Sequence, residues 1–440
     1  MGHYISITEA QKKEMLNAIG LHSAAEMYAD APSELIRKSA LDIPRGMSEL
    51  ETLRAVEAIA AKNKVFPTIF RGAGAYRHYI PAIVPAVVSK ETFVTAYTPY
   101  QSEISQGILQ SIFEYQTMIC ELTGMDVSNA SVYDGATAAA EAAAMCRDRK
   151  RTKTLISAAA NPDVIETVKT YCWGANAEVS LIPSKDGVTD MDALRGMLDE
   201  TVACVYIAQP NYYGMLEDAA AIGQTVHGAG AKFVMGVNPI AAALMKTPAE
   251  CGADVAVGEG QPLGMPLSFG GPYLGFMAAT TAMMRKLPGR IVGETTDSEG
   301  NRAFVLTLQA REQHIRREKA SSNICSNEAL CAMTAAVYMA AMGPDGMKDV
   351  AVQCLSKAHY MASAISSVKG FSLRHKGEFF HEFVTECPIE PDKVMSALEE
   401  KGILGGLPLA DGGILWCATE MNTKSEIDTL VNILREVSSK

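Results

Sequence analysis

Two stretches of the chain gather tyrosines and ionisable groups in segments with neither helical nor strand periodicity. The first is Arg71-Gly72-Ala73-Gly74-Ala75-Tyr76-Arg77-His78-Tyr79-Ile80-Pro81, and the second is Tyr97-Thr98-Pro99-Tyr100-Gln101-Ser102-Glu103. Loops of this composition are a usual location for residues that contact ligands. Arg71 or Arg77 can grip a carboxylate with two N–H groups, His78 can change charge near neutrality, and Tyr76, Tyr97, Tyr100 and Glu103 can hydrogen-bond a polar substrate. Tyr and Arg are also enriched at subunit interfaces, so the residues alone suit an interface equally well.

A different chemistry is suggested by Val132-Tyr133-Asp134-Gly135-Ala136-Thr137-Ala138, a small-residue turn opening an Ala-rich helix that runs to Met145. Free amides at a helix N-terminus beside a Thr hydroxyl can hold a phosphate. An Asp N-cap with Gly at the turn explains the same residues without a ligand. Further on, Gly258-Glu259-Gly260-Gln261-Pro262-Leu263-Gly264 follows an apolar run and precedes Ser268-Phe269-Gly270-Gly271-Pro272. Its G-x-G-x-x-x-G spacing, with Pro262 where a phosphate-cradling helix would begin, rejects a nicotinamide-dinucleotide fingerprint. The stretch reads as a functional loop or as an irregular crossover in a sheet. The run Arg311-Glu312-Gln313-His314-Ile315-Arg316-Arg317-Glu318-Lys319 reads as a solvated helix face, and the Ser/Asn cluster after it as a helix cap. The eight His residues show no metal-ligand spacing, and neither G-x-S-x-G nor a P-loop occurs. The sequence therefore lends no support to metal or hydrolase chemistry.

The elements that must position these residues follow from apolar periodicity. From Thr8 to Lys62 the apolar spacing is helical, interrupted by Pro32 and Pro44, which predicts an N-terminal helical arm over residues 1–62. From Thr152 onward short apolar runs alternate with amphipathic segments. The runs are Thr154–Ala159, Glu178–Pro183, Val202–Gln209, Lys232–Val237, Asp254–Gly258 and Gly275–Thr280. That rhythm predicts a mostly parallel sheet covered by helices, an α/β domain over residues 63–327. Residues 328–440 read as connecting helices, broken at Gly343-Pro344, and a small α+β domain.

Composition sets the outer limits. The chain has 440 residues, 48% of them hydrophobic, with ten cysteines and a formal charge of −11. An acidic chain without a long Lys/Arg run is a poor partner for nucleic acid. The cysteines form no C-x-x-C pair and several lie in apolar runs, as expected of buried thiols in a reducing compartment. The start carries no signal-peptide pattern, and the longest uncharged run, Gly260 to Met284, is broken by prolines and glycines, so the expectation is a soluble cytoplasmic protein with no membrane contact. Met1-Gly2 with Ser6 matches a loose myristoylation pattern, with no basic cluster to supply the second membrane signal.

Taken together, several motifs carry a resemblance. Gly72-Ala-Gly-Ala-Tyr76 with His78-Tyr-Ile-Pro81, Tyr97 to Gly107, Gly258 to Gly264, and Arg311 to Arg316 with Ser322-Asn-Ile-Cys325 occur in one order along the chain. In this they resemble the N-terminal subunit of decarboxylating glycine dehydrogenase, the P-protein family of the glycine cleavage system, and the resemblance covers essentially the whole chain.

The resemblance implies a fold-type-I architecture like that of aspartate aminotransferase. It also implies an α2β2 assembly with a homologous second subunit, which carries pyridoxal phosphate through a lysine. The assembly decarboxylates glycine and passes the aminomethyl group to the lipoyl arm of H-protein. Pyridoxal phosphate needs a Lys, an Asp for its pyridine nitrogen and an anion-binding turn. At the family's His-Lys positions this chain has Gln261 and Pro262, and Met235 stands where the Asp belongs. Gly135, Ala136 and Thr137 are then a relic phosphate turn. The expectation is a half that binds no cofactor and contributes Tyr76, Arg77, His78, Tyr97, Tyr100 or Glu103 to its neighbour's site. The alternative is a self-sufficient homodimeric decarboxylase or transferase with a displaced lysine, Lys246 or Lys232.

Overall fold

The computed structural model describes residues 6–39, 41–94, 99–309, 312–320, 322–324 and 326–438. Tyr97, Arg311, Cys325 and the Met1-Gly2 pattern lie outside the described residues. The chain divides into two units, Met1–Val65 and Phe66–Lys440.

In the first unit the helical pattern is not continuous. Helices α1 (Glu9–Ala18) and α2 (Glu49–Ala60) both start in reciprocal capping boxes, Thr8 with Gln11 and Ser48 with Glu51. A short 3₁₀ turn, Ala24–Tyr28, and irregular backbone lie between them. Gly20, at φ 74°, closes the first helix, and Pro32 and Pro44 deny the next stretch its amide donors.

The second unit is built on a seven-stranded sheet. Its strands are β1 (Val127–Ser128), β2 (Lys153–Ser157), β3 (Val179–Ile182), β4 (Val202–Gln209), β5 (Lys232–Val237), β6 (Val255–Glu259) and β7 (Gly275–Ala279), in the order β1-β7-β6-β5-β4-β2-β3. The run from β6 to β3 is parallel, and only β7 is antiparallel to its neighbours. Side chains alternate between two apolar clusters. Leu155, Val205, Phe233 and Ala256 enter one, and Ile156, Tyr206, Val234 and Val257 the other. Both faces are therefore covered, which is why these strands read as unbroken apolar runs.

Helices α3 (Gln106–Thr123), α4 (Gly135–Cys146), α5 (Pro162–Gly174) and α6 (Ala219–Gly228) belong to these layers. A hairpin of β8 (Ile291–Thr296) and β9 (Arg302–Thr307), which the sequence reading did not anticipate, follows the sheet. Helix α7 (Ala329–Ser366) kinks at Gly343, φ 63° and ψ 176°, as the Gly-Pro pair requires. A four-stranded sheet of β10 (Ser372–Leu373), β11 (Glu382–Glu386), β12 (Leu407–Pro408) and β13 (Ile414–Cys417) follows, with helices α8 (Pro391–Glu400) and α9 (Lys424–Ser438). These pack around a third apolar cluster, which also takes Phe70 and Met215. Thr68–Ile69 pairs in parallel with Ile403–Leu404, so the chain enters the 71–81 loop directly from this C-terminal layer.

Candidate functional site

A cavity of about 380 Å³ opens at the carboxyl ends of β4, β5 and β6, the usual ligand position in a parallel α/β sheet. Residues 72–76 form one wall, the first turn of α4 another, and Tyr206, Asn238 and Glu259 face it from the strands.

The Glu259 carboxylate decides what this cavity can hold. One oxygen accepts the Gly135 amide at 2.9 Å, and the other accepts the amides of Gln261 at 2.9 Å and Leu274 at 3.0 Å. It thus occupies the start of α4, while Asp134 caps the same helix by accepting from Thr137 N at 2.7 Å. Burial raises the Glu259 pKa to about 7, against the opposing pull of those amides. The backbone fits tightly: a Cβ on Gly135 would press on Glu259, and one on Gly258 would overlap the Phe276 ring. Gly135, Ala136 and Thr137 form the first turn of α4, and the position an anion would take there is filled from within the chain.

Pyridoxal phosphate does not fit these residues. Its phosphate cradle holds a carboxylate, which repels another anion. Gln261 is a clamp: its Oε1 accepts from Tyr76 N and its Nε2 donates to Tyr76 O, both at 2.9 Å, and to Met265 O at 2.7 Å. Pro262 is buried beside it. Met235 is buried in the core among apolar side chains. The displaced lysines do not line the cavity: Lys246 is exposed and Lys232 pairs with Asp254 at 2.8 Å.

The 71–81 loop spends its polar groups within the chain. Arg71 donates to the carbonyls of Gly405 and Gly406, and Arg77 to that of Pro67. Tyr76 donates to Glu382 at 2.7 Å, and the same carboxylate accepts the Ala73 amide at 2.6 Å. Burial raises the Glu382 pKa to about 7, and burial with the Glu382 charge holds the Tyr76 phenol protonated. His78 Nδ1 lies 2.8 Å from Glu420. Tyr100 is different. Its ring is 55% exposed and lies 4.4 Å from the Arg290 guanidinium, which also bonds its hydroxyl at 2.6 Å. Arg290 is itself buried and paired with Glu312 at 2.9 Å. Glu103, three residues after Tyr100, is exposed.

Sequence reading missed Glu382, Glu420, Arg290 and the role of Glu259. A carboxylate inside Phe379-Phe380-His381-Glu382-Phe383-Val384 was the available signal, since charge in an apolar strand needs a partner. Among the described residues no helix is long and apolar enough to cross a membrane.

This architecture, with its cavity at the strand ends and its small C-terminal sheet, is the fold-type-I fold of pyridoxal-phosphate-dependent enzymes. A glutamate decarboxylase of Lactobacillus brevis shares that fold alone, with a TM-score of 0.69 at 14% identity over 95% of this chain and 97% of that one. The profile of the glycine cleavage system P-protein matches residues 2–434, and the chain belongs to that family. It is 48% identical to probable glycine dehydrogenase (decarboxylating) subunit 1 of Desulfitobacterium hafniense, over 99% of this chain and 100% of the relative. The same subunit of Moorella thermoacetica is also 48% identical, over 99% of both chains. A crystal structure of glycine decarboxylase (P-protein) in inhibitor-bound form superposes with a TM-score of 0.94 at 39% identity, covering 99% of this chain and 100% of that one.

Proposed function

We propose that this chain is the subunit of a glycine decarboxylase that carries no pyridoxal phosphate. It acts in an α2β2 assembly with a homologous second subunit that holds the cofactor. Together they release CO2 from glycine and transfer the aminomethyl group to the lipoyl arm of H-protein, in the cytoplasm. The observation that supports this most is the Glu259 carboxylate in the phosphate cradle, beside Gln261, Pro262 and Met235 where Lys and Asp would be needed. A carbanion cannot be stabilised here without those groups, so the electron sink belongs to the partner.

The need for a second subunit is supported by the first unit's surface. Leu35, Leu41, Ile43 and Val65 are each more than half exposed, an apolar surface that suits cover by another chain. Of the expected trans contributions, the engaged side chains of Tyr76, Arg77 and His78 act as braces of their own loop. Tyr100, exposed and held by Arg290, and the exposed Glu103 are the groups offered to the partner's site, with Tyr97 alongside in sequence.

Mixing separates the readings. Purified chain receives pyridoxal phosphate, a visible spectrum is taken, and borohydride reduction is followed by peptide mapping, first alone and then with the second subunit. The expected result is no Schiff-base band from the chain alone. The mixture gives the band, glycine-dependent CO2 release and a reduced cofactor mapped to the second subunit. A cofactor mapped to Lys246 or Lys232 here, with activity from the lone chain, would overturn the proposal in favour of a self-sufficient enzyme.

A further inference from the structure

Away from the cavity, three side chains from distant parts of the sequence meet in the interior. His78 comes from the 71–81 loop, Cys354 from α7, and Glu420 from the turn after β13. One Glu420 oxygen lies 2.8 Å from His78 Nδ1 and 3.3 Å from Cys354 Sγ, and the three donor atoms all lie within 4.8 Å of one another. The other Glu420 oxygen accepts the Tyr79 amide at 2.6 Å. His78 and Cys354 are buried, and the Glu420 side chain is 12% exposed, which leaves a route for a small ion.

The surrounding side chains are short of partners. Tyr338, fully buried and close enough to feel the charges of Glu420 and Cys354, has a hydroxyl with no hydrogen-bond partner among the described residues. Both ring nitrogens of buried His381, which feels the charge of His78, are likewise unpartnered, as is His78 Nε2. Leaving such groups unmet in the interior forfeits their hydration without return.

We propose that His78, Cys354 and Glu420 form a binding site for a zinc-class divalent cation, fastening the 71–81 loop to α7 and the C-terminal sheet. Imidazole, thiolate and carboxylate suit zinc, whereas a thiol is a poor ligand for magnesium or calcium. Tetrahedral donors around zinc stand about 3.3 to 3.6 Å apart, given bonds of about 2.0 Å to N or O and 2.3 Å to S. Shifts of a few tenths of an ångström bring the two short contacts to that spacing. On binding, the Cys354 S–H bond breaks and its proton leaves to solvent, His78 coordinates through Nδ1 with its proton on Nε2, and Glu420 exchanges hydrogen bonds for a metal bond. Burial and the Glu420 charge hold the metal-free Cys354 thiol protonated, and a bound cation reverses this because its 2+ charge is balanced by thiolate and carboxylate, with the Lys357 ammonium, bonded to the Glu420 main-chain oxygen, assisting. No spacing rule reveals this set because its members lie 66 and 342 residues apart.

The test is a cobalt(II) titration of the full chain after chelator treatment. One equivalent should give a thiolate-to-cobalt charge-transfer band in the near ultraviolet that zinc then displaces. Cys354→Ser should abolish the band and weaken zinc binding by at least about 10-fold. Circular dichroism checks that the variant is folded. If it is not, Glu420→Gln, which leaves the thiol in place, should weaken binding on the same scale. Absence of the band in the native chain, or a band that survives both substitutions, would overturn the proposal.

Discussion

Glu259 Oε2 accepts the backbone amide of Gly135 at 2.9 Å, so the first turn of α4 is neutralised by a side chain of the neighbouring strand. Glu259→Gln keeps the size but offers only one strong acceptor to three amides. At least one buried N–H loses its partner, and the expected cost is about 1–3 kcal/mol, read as a lower midpoint in denaturant unfolding. Inorganic phosphate should not raise the melting temperature of the native chain. Phosphate stabilisation of the native protein would show that the carboxylate does not block the turn.

Glu259 and Glu382 both have a pKa raised by burial from 4.5 to about 7. Between those values the folded state binds more protons than the unfolded one, so this stability is full below about pH 4.5 and lost as pH rises through about 7. Each group contributes on the order of 3 kcal/mol. Glu420 runs the other way: burial pushes its pKa up, but the His78 hydrogen bond and charge and the Tyr79 amide outweigh it, leaving it below 4.5. Its contribution is lost only as pH falls through that lowered value. Melting temperature should therefore decline from pH 5 to pH 8, and Glu382→Gln should flatten that decline by about half. An unchanged slope in the variant would exclude Glu382 as a source.

Arg290 fixes Tyr100 through both a hydroxyl bond and the ring face. Tyr100→Phe keeps the ring and removes the bond, for a stability loss of about 1 kcal/mol. If the loop serves the partner's site, CO2 release by the two-subunit mixture falls by up to about 100-fold, the scale of a misplaced positioning group, with co-elution of the subunits intact. Full turnover in Tyr100→Phe would remove that hydroxyl from the proposal.

Gly214 holds φ 81°, and a Cβ there would overlap the main-chain carbonyl of Glu382. Gly214→Ala combines a left-handed backbone with a backbone clash and should destabilise by several kcal/mol, roughly 3 or more. Soluble yield and unfolding midpoint measure it, and Gly196→Ala, where nothing lies within 4 Å, is the matched control.

Regular elements were legible where periodicity was strong. Val202–Gln209 and Lys232–Val237 are strands with the expected ends, because strands buried on both faces are continuous apolar runs. The hairpin at Ile291–Thr307 was not read, since one strand ends in the polar stretch Glu294-Thr295-Thr296, which stands exposed. In the arm, helical spacing extended across prolines that the backbone could not accommodate.

The sequence by itself determined the fold class and the family, because apolar periodicity and ordered motifs are local patterns. Only the tertiary structure decided which buried carboxylates meet which donors. Glu259 meets Gly135 across 124 residues, Glu382 meets Tyr76 across 306, and Glu420 meets His78 across 342. A carboxylate's role depends on burial and on which donors surround it, and both are set by packing between segments whose separation leaves no local pattern to read.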